Sequence, residues 1–134
     1  HFKAFNDLYG HLAGDACLKL VGQTVSGAVR SADVAARFGG EEFVAILPDA
    51  SEEQAHNIAM RIQAALKECR IAHSGSPTGL VTASIGIAGY PAEQRTRSAS
   101  QLLSRADEAL DVAKDAGRDR IMGWRREFAG ASVA

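Results

Sequence analysis

Two adjacent glycines, Gly39 and Gly40, sit between two short apolar runs, Val34 to Phe38 and Phe43 to Leu47. Both runs are rich in strand formers. Glycine adopts positive φ without steric cost, so the chain can reverse within a residue or two. The prediction is a β-hairpin, and that fixes an antiparallel pair in the fold.

Helical spacing surrounds the hairpin. Residues 3–9 read as a short helix or turn. From about Gly14 to Arg30, the positions Leu18, Val21, Val25 and Ala28 keep a helical period. Pro48 and Asp49 end the second strand. Ser51 is a good N-cap with Gln54 three residues on. Ala55, Ile58, Ala59, Ile62, Ala65 and Leu66 then mark one helix face to about Cys69. Residues 74–79 read as a turn, Val81 to Ile87 alternates like a half-buried strand, and Pro91 to Ser98 reads as loop. A fourth helix is expected from about Ser100 to Ala116, stopped by Gly117. Arg120 to Trp124 reads as a closing strand.

This order predicts an α/β fold, a mixed and mostly antiparallel central sheet flanked by helices. Residues 1–124 are expected to form the domain, and 125–134 a poorly ordered tail.

The chain has 134 residues, 46% of them hydrophobic, enough for one ordinary core. Fifteen Lys and Arg stand against sixteen Asp and Glu, a net charge of -1. No broad field exists to hold a nucleic acid or an anionic membrane. An anionic ligand must be held by a local cluster. Cys17 and Cys69 lie in helical patterns without metal-ligand spacing. They read as free thiols of a reducing, cytoplasmic setting. No apolar run is long enough to span a bilayer. His11, His56 and His73 have no spacing that suggests a ligand set or a triad.

The chemistry concentrates at Gly39-Gly40-Glu41-Glu42-Phe43. The glycines let backbone approach a ligand closely. Adjacent strand residues point to opposite faces, so the two acids should play different roles. Carboxylates at a phosphate site usually mean Mg²⁺, which takes one or two of them plus phosphate oxygens. The bland alternative is a solvated hairpin with two surface acids.

The signature and its surroundings resemble the GGDEF, or diguanylate cyclase, family. Phe2-Lys3-Ala4-Phe5-Asn6-Asp7 matches the family's F-K-x-x-N-D, and Gly10-His11-Leu12-Ala13-Gly14-Asp15 its G-H-x-x-G-D. Arg37-Phe38 precedes the signature. Ala106-Asp107-Glu108-Ala109-Leu110 and Ala113-Lys114-Asp115-Ala116-Gly117-Arg118 match A-D-x-A-L and A-K-x-x-G-R. The blocks run in family order along nearly the whole chain.

The resemblance implies a fold like the palm domain of nucleotidyl cyclases. It implies condensation of two GTP into cyclic di-GMP with release of two pyrophosphates. Mg²⁺ or Mn²⁺ would assist, a homodimer would be the active form, and an upstream sensory or receiver domain would control it. By position, Asn6 and Asp15 would read guanine, Gly39 and Gly40 would approach the substrate, and Lys3, Lys114 and Arg118 would hold the triphosphate. Glu41 and Glu42 would be the acids at the metal, with Glu41 helping to deprotonate the ribose 3′-hydroxyl. Simpler roles compete: Asn and Asp cap helices, and Lys114 and Arg118 offset a helix dipole.

Arg30-Ser31-Ala32-Asp33 resembles the family's R-x-x-D inhibitory site for cyclic di-GMP, with Arg61 matching a further contact. The alternative is a solvated ion pair of little worth. For the domain as a whole, the rivals are a catalytically silent module that binds GTP or cyclic di-GMP, and a purely structural dimerisation domain.

The family carries D-x-D just before its F-K block, and its first aspartate is a metal ligand. The sequence begins at His1, so that acid and most of the first strand are not in it. A molecule truly lacking them would be short of one ligand and one strand. Asp111 stands where the family usually has Tyr, and is expected to reach solvent or to cost packing.

Overall fold

The computed structural model describes residues 1–91 and 98–130. It divides into two units, residues 1–49 with 61–82, and residues 50–60 with 83–134. The loop expected over Pro91 to Ser98 falls mostly outside the described residues. Among the described residues no helix is long and apolar enough to cross a membrane.

The first unit opens with helix α1, Phe2–Tyr9, and helix α2, His11–Ala28. Gly10 makes the elbow between them with φ 87, where glycine alone avoids strain. Its N–H closes α1 on the Asn6 carbonyl, and its carbonyl opens α2 on the Gly14 N–H. α1 begins one residue and α2 three residues before the expected starts. Phe5, Cys17, Leu18, Val25 and Ala28 are buried, with Ile62 and Leu66 of a later helix. Cys17 is a free thiol whose pKa burial pushes up.

Strands β1, Val34–Gly39, and β2, Glu42–Ile46, pair antiparallel as the glycines predict. The 74–79 segment is a turn, closed by the bridge between Ala72 and Leu80.

Helix α3, Glu52–Glu68, begins in the second unit and continues into the first. Its start is a complete capping box. Gln54 N–H donates to Ser51 Oγ at 3.1 Å, and Ser51 N–H to Gln54 Oε1 at 2.9 Å.

The second unit adds strand β3, Ile85–Ile87, helix α4, Ala99–Asp115, and strand β4, Ile121–Gly123. β3 and β4 pair in parallel, which suits strands joined through a helix. Gly86 is required here, since a Cβ would overlap the backbone of α4 at Ala106 and Leu110. Ala109 and Ala113 are fully buried on that helix. Gly117, φ 120, stops α4 as expected, and Arg118 N–H returns to the Ala113 carbonyl at 3.0 Å. Asp111 is exposed, so the acid costs no packing.

Two expectations differ in detail. The described strands form two ladders, one antiparallel and one parallel, rather than one mostly antiparallel sheet. Arg126–Gly130 form a short 3-10 helix packed on α4, where no pattern was expected.

Candidate active site

The hairpin tip is an irregular turn with a brace. Arg37 pairs with Phe43, then Gly39 with Glu42, which leaves Phe38 as an extra residue on β1. Such a bulge bends the strand and re-aims the residues beyond it. Gly40 has φ 51. A Cβ there would meet nothing within 4 Å, so glycine is favoured by backbone conformation rather than space. Arg37 Nε donates to the Gly40 carbonyl at 2.8 Å and ties the turn to the strand. Glu41 lies exposed in the turn, and Glu42 is the half-buried first residue of β2. The adjacent acids occupy different settings because Glu41 lies in the turn and Glu42 on the strand.

Beside the hairpin lies an open cavity of about 490 Å³, between α2 and the two strands. Asp15, Lys19, Arg37 and Phe43 are among its walls. Gly22 is too, and a Cβ there would come within 3.2 Å of the Phe43 ring. The cavity gathers one expected guanine reader, Asp15, with the arginine that braces the signature.

Asn6, the second expected reader, sits on α1 against α2. A Cβ on Gly14 would overlap its Oδ1, so the close approach exists because residue 14 is glycine. Asn6 Oδ1 is buried without a hydrogen-bond partner. Such an orphan costs about 1–3 kcal/mol. Neither Asn6 nor Asp15 is an N-cap, since His1 and Gly10 hold those positions. Lys3 is exposed on the first turn of α1.

Lys114 and Arg118 belong to the second unit. Lys114 is half-buried in the last turn of α4, and Arg118, φ 62, is exposed just past its end.

Among the described residues no three His, Cys, Asp or Glu side chains converge to hold a metal. An all-protein cage is therefore absent from them. Glu41 and Glu42 still suit Mg²⁺, which binds through one or two carboxylates and fills its other positions with phosphate oxygens and water.

At the other end of the hairpin, Arg30 and Asp33 form a dense pair. Arg30 Nε lies 2.9 Å and its terminal nitrogen 2.7 Å from the two carboxylate oxygens. The Arg30 N–H adds a bond of 2.7 Å, and the guanidinium also reaches the Pro48 carbonyl at 3.0 Å. The Asp33 side chain has no solvent exposure, so this is no solvated surface pair. The Arg30 hydrogen bonds, with help from the charge of Arg61, hold the Asp33 carboxyl below the usual range.

Comparison with known proteins decides the family. Residues 1–120 match the family described as diguanylate cyclase, GGDEF domain. The chain belongs to that family. It is 42% identical over 121 residues to the diguanylate cyclase DgcP of Pseudomonas aeruginosa, covering 90% of this chain and 17% of DgcP. It spans a third or less of the length of the curated relatives it matches. The GGDEF domain of TpbB (YfiN) from Pseudomonas aeruginosa superposes with a TM-score of 0.82 at 34% identity, covering 99% of this chain and 76% of that one. The GGDEF domain of DgcB from Caulobacter crescentus, solved in complex with cyclic di-GMP, gives 0.80 at 30% identity, with 92% and 71% covered. The fold is thus the palm fold that GGDEF domains share with nucleotidyl cyclases.

Sequence reasoning gave no role to Arg37 and Gly14, which shape this site, or to His73, which lies against α1 outside it. Arg37 was visible as the neighbour of the signature, and Gly14 as the second glycine of G-H-x-x-G-D. His73, buried beside α1, gave no signal at all.

Proposed function

We propose that this domain condenses two GTP molecules into cyclic di-GMP, with residues 1–124 forming the catalytic domain. The observation that best supports this is the tip: Glu41 exposed in a reversal that Arg37 and Gly40 hold, beside a cavity edged by Asp15. Asp15 would accept from guanine N–H groups. The unpaired Asn6 Oδ1 would gain more from such a partner than a solvated amide could. Gly39 and Gly40 would let the backbone approach the substrate. Lys3, Lys114 and Arg118 would hold the triphosphate. Glu41 would accept the proton of a ribose 3′-hydroxyl as that oxygen attacks the α-phosphorus of a second GTP, and pyrophosphate would leave. Mg²⁺ or Mn²⁺, held by Glu41 and Glu42, would offset charge on the reacting phosphates. Each domain would hold one GTP, so the active form is a homodimer. In its parent the domain is cytoplasmic and takes its signal from an upstream domain.

Cyclic di-GMP would inhibit through Arg30, Asp33 and Arg61. Arginine can bond guanine O6 and N7 together. Here Arg30 Nε and one terminal nitrogen already bond Asp33 and the Pro48 carbonyl, so a paired bond to guanine that uses those nitrogens competes with the internal pair.

The test is incubation of the domain, and of its full-length parent, with GTP and Mg²⁺, followed by chromatography. Cyclic di-GMP is expected. GTP binding without product from either would favour a silent binding module. No binding would leave a structural dimerisation domain.

A further inference from the structure

The 73–79 loop lies outside the proposed nucleotide site, yet it grips α1 at both ends. His73 is 4% exposed. Its ring stands edge-on to Phe5 at 5.3 Å and to Tyr9 at 6.4 Å between centroids. Gly75 N–H donates to Nδ1 at 3.3 Å. With Nδ1 accepting, Nε2 carries the proton, and it lies 3.0 Å from the His1 carbonyl. That carbonyl also accepts the first bond of α1, from Phe5 N–H at 3.1 Å. At the far end of α1, Ser74 N–H donates to the Tyr9 hydroxyl at 3.0 Å, and that hydroxyl lies 3.3 Å from Ser74 Oγ. Between these ends Gly75 presses on the helix. A Cβ there would come within 3.2 Å of Leu8 and 3.5 Å of Ala4. The other side of α1, Phe2 and Asn6, packs on Gly14 of α2.

We propose that His73 is a positioning residue for α1, and through it for the nucleoside triphosphate contacts of Lys3 and Asn6. This rests on the proposed roles of those two residues in holding GTP. An eight-residue helix is too short to hold itself in water. Its order comes from what it packs against, and His73 holds the end where Lys3 lies. Loss of the His73 bonds frees the first turn, and the triphosphate meets a mobile lysine and a displaced amide. Affinity falls while the chemistry at Glu41 proceeds unchanged.

Two substitutions separate positioning from simple filling of space. His73→Phe keeps a ring between Phe5 and Tyr9 and removes both hydrogen bonds. His73→Gln restores an amide N–H near the Nε2 position. In the full-length protein, His73→Phe is expected to raise KM for GTP roughly tenfold, the effect of one buried hydrogen bond, with kcat within about twofold. His73→Gln should recover most of the loss. Without nucleotide, amide exchange over residues 3–9 should quicken in His73→Phe. If His73→Phe does not fold, Tyr9→Phe loosens the same clasp at its other end and should raise KM severalfold. Unchanged KM in either folded variant overturns the proposal, as does a His73→Gln enzyme as weak as His73→Phe. If even the unaltered protein binds no GTP, the nucleotide reading has failed, and amide exchange alone decides whether His73 holds α1.

Discussion

The root and the tip of the β1–β2 hairpin each carry an arginine, and each end uses it differently. At the root, Arg30 is committed to the fully shielded Asp33 and to the Pro48 carbonyl. At the tip, Arg37 is exposed and is tied through one nitrogen to the Gly40 carbonyl. The root is held by internal pairing, so a ligand that takes over Nε or the bonded terminal nitrogen of Arg30 must break something. The tip is braced but leaves Glu41 exposed, so a ligand there can add contacts at little cost. Removing one partner at the root would leave the shielded Asp33 charge unpaired, which makes the root hard to open. Solvated charge at the tip stabilises little and stays available.

The largest expected effect is at the tip. Glu41→Ala should reduce cyclic di-GMP formation by at least about 100-fold, the usual weight of a proton-transfer group. Because the side chain is exposed, the unfolding midpoint should stay where it was. A large drop in thermal stability would make Glu41 structural and erase the contrast with the root.

Arg30→Ala should do the reverse. It leaves the Asp33 carboxylate shielded without its partner, so the melting temperature should fall clearly in scanning calorimetry. Basal synthesis should survive, with weaker inhibition by added cyclic di-GMP. Unchanged inhibition would reduce the root to a structural pair.

Gly40→Ala is the sharper probe of the brace. Nothing crowds a Cβ there, but φ 51 costs a non-glycine residue about 1–2 kcal/mol. The turn should show that strain as a small drop in stability and a misplaced Glu41, seen as lower kcat. Gly40→Asn should be milder, since Asn tolerates this region. Equal loss in both variants would mean that the backbone conformation is not what matters.

Much of this was legible in the sequence because local chemistry wrote it. The hairpin came from two glycines, the start of α3 from Ser51 and Gln54, the end of α4 from Gly117. The parts that were not legible depend on partners. Val81 to Ile87 alternates throughout, yet only Ile85–Ile87 pair as a strand, while Val81 meets the Ile71 carbonyl in a single bond. Residues 81–87 are all half-buried, so the alternation told neither which side chains turn inward nor whether a neighbouring strand is there to pair. At the site, the motif blocks named Asn6, Asp15, Glu41 and Arg30 by resemblance. They could not say that Asn6 leans on Gly14, or that Arg30 is already engaged. His73 was invisible because a lone histidine in a turn has no pattern, and its meaning comes from an α1 some seventy residues away.

The smallest expected effect is in acid, and it separates the root from the rest of the fold. Asp33 is held below its ordinary 3.8 by Arg30 first and by the charge of Arg61. A depressed carboxyl adds stability above that ordinary value and loses it as pH falls through the lowered one. His73 is shifted the other way in charge. Burial lowers its pKa from 6.5, and the 74–80 loop brings no charged side chain to it. The neutral ring thus favours the fold above 6.5, and that share is lost as pH falls through the lowered value. Melting temperatures of the unaltered protein should therefore begin to decline below about pH 6.5. The gap between it and Arg30→Ala should hold steady through that decline and narrow only below pH 3.8. A gap that closes already near pH 6 would show that the root is stabilised by something other than the Asp33 carboxylate.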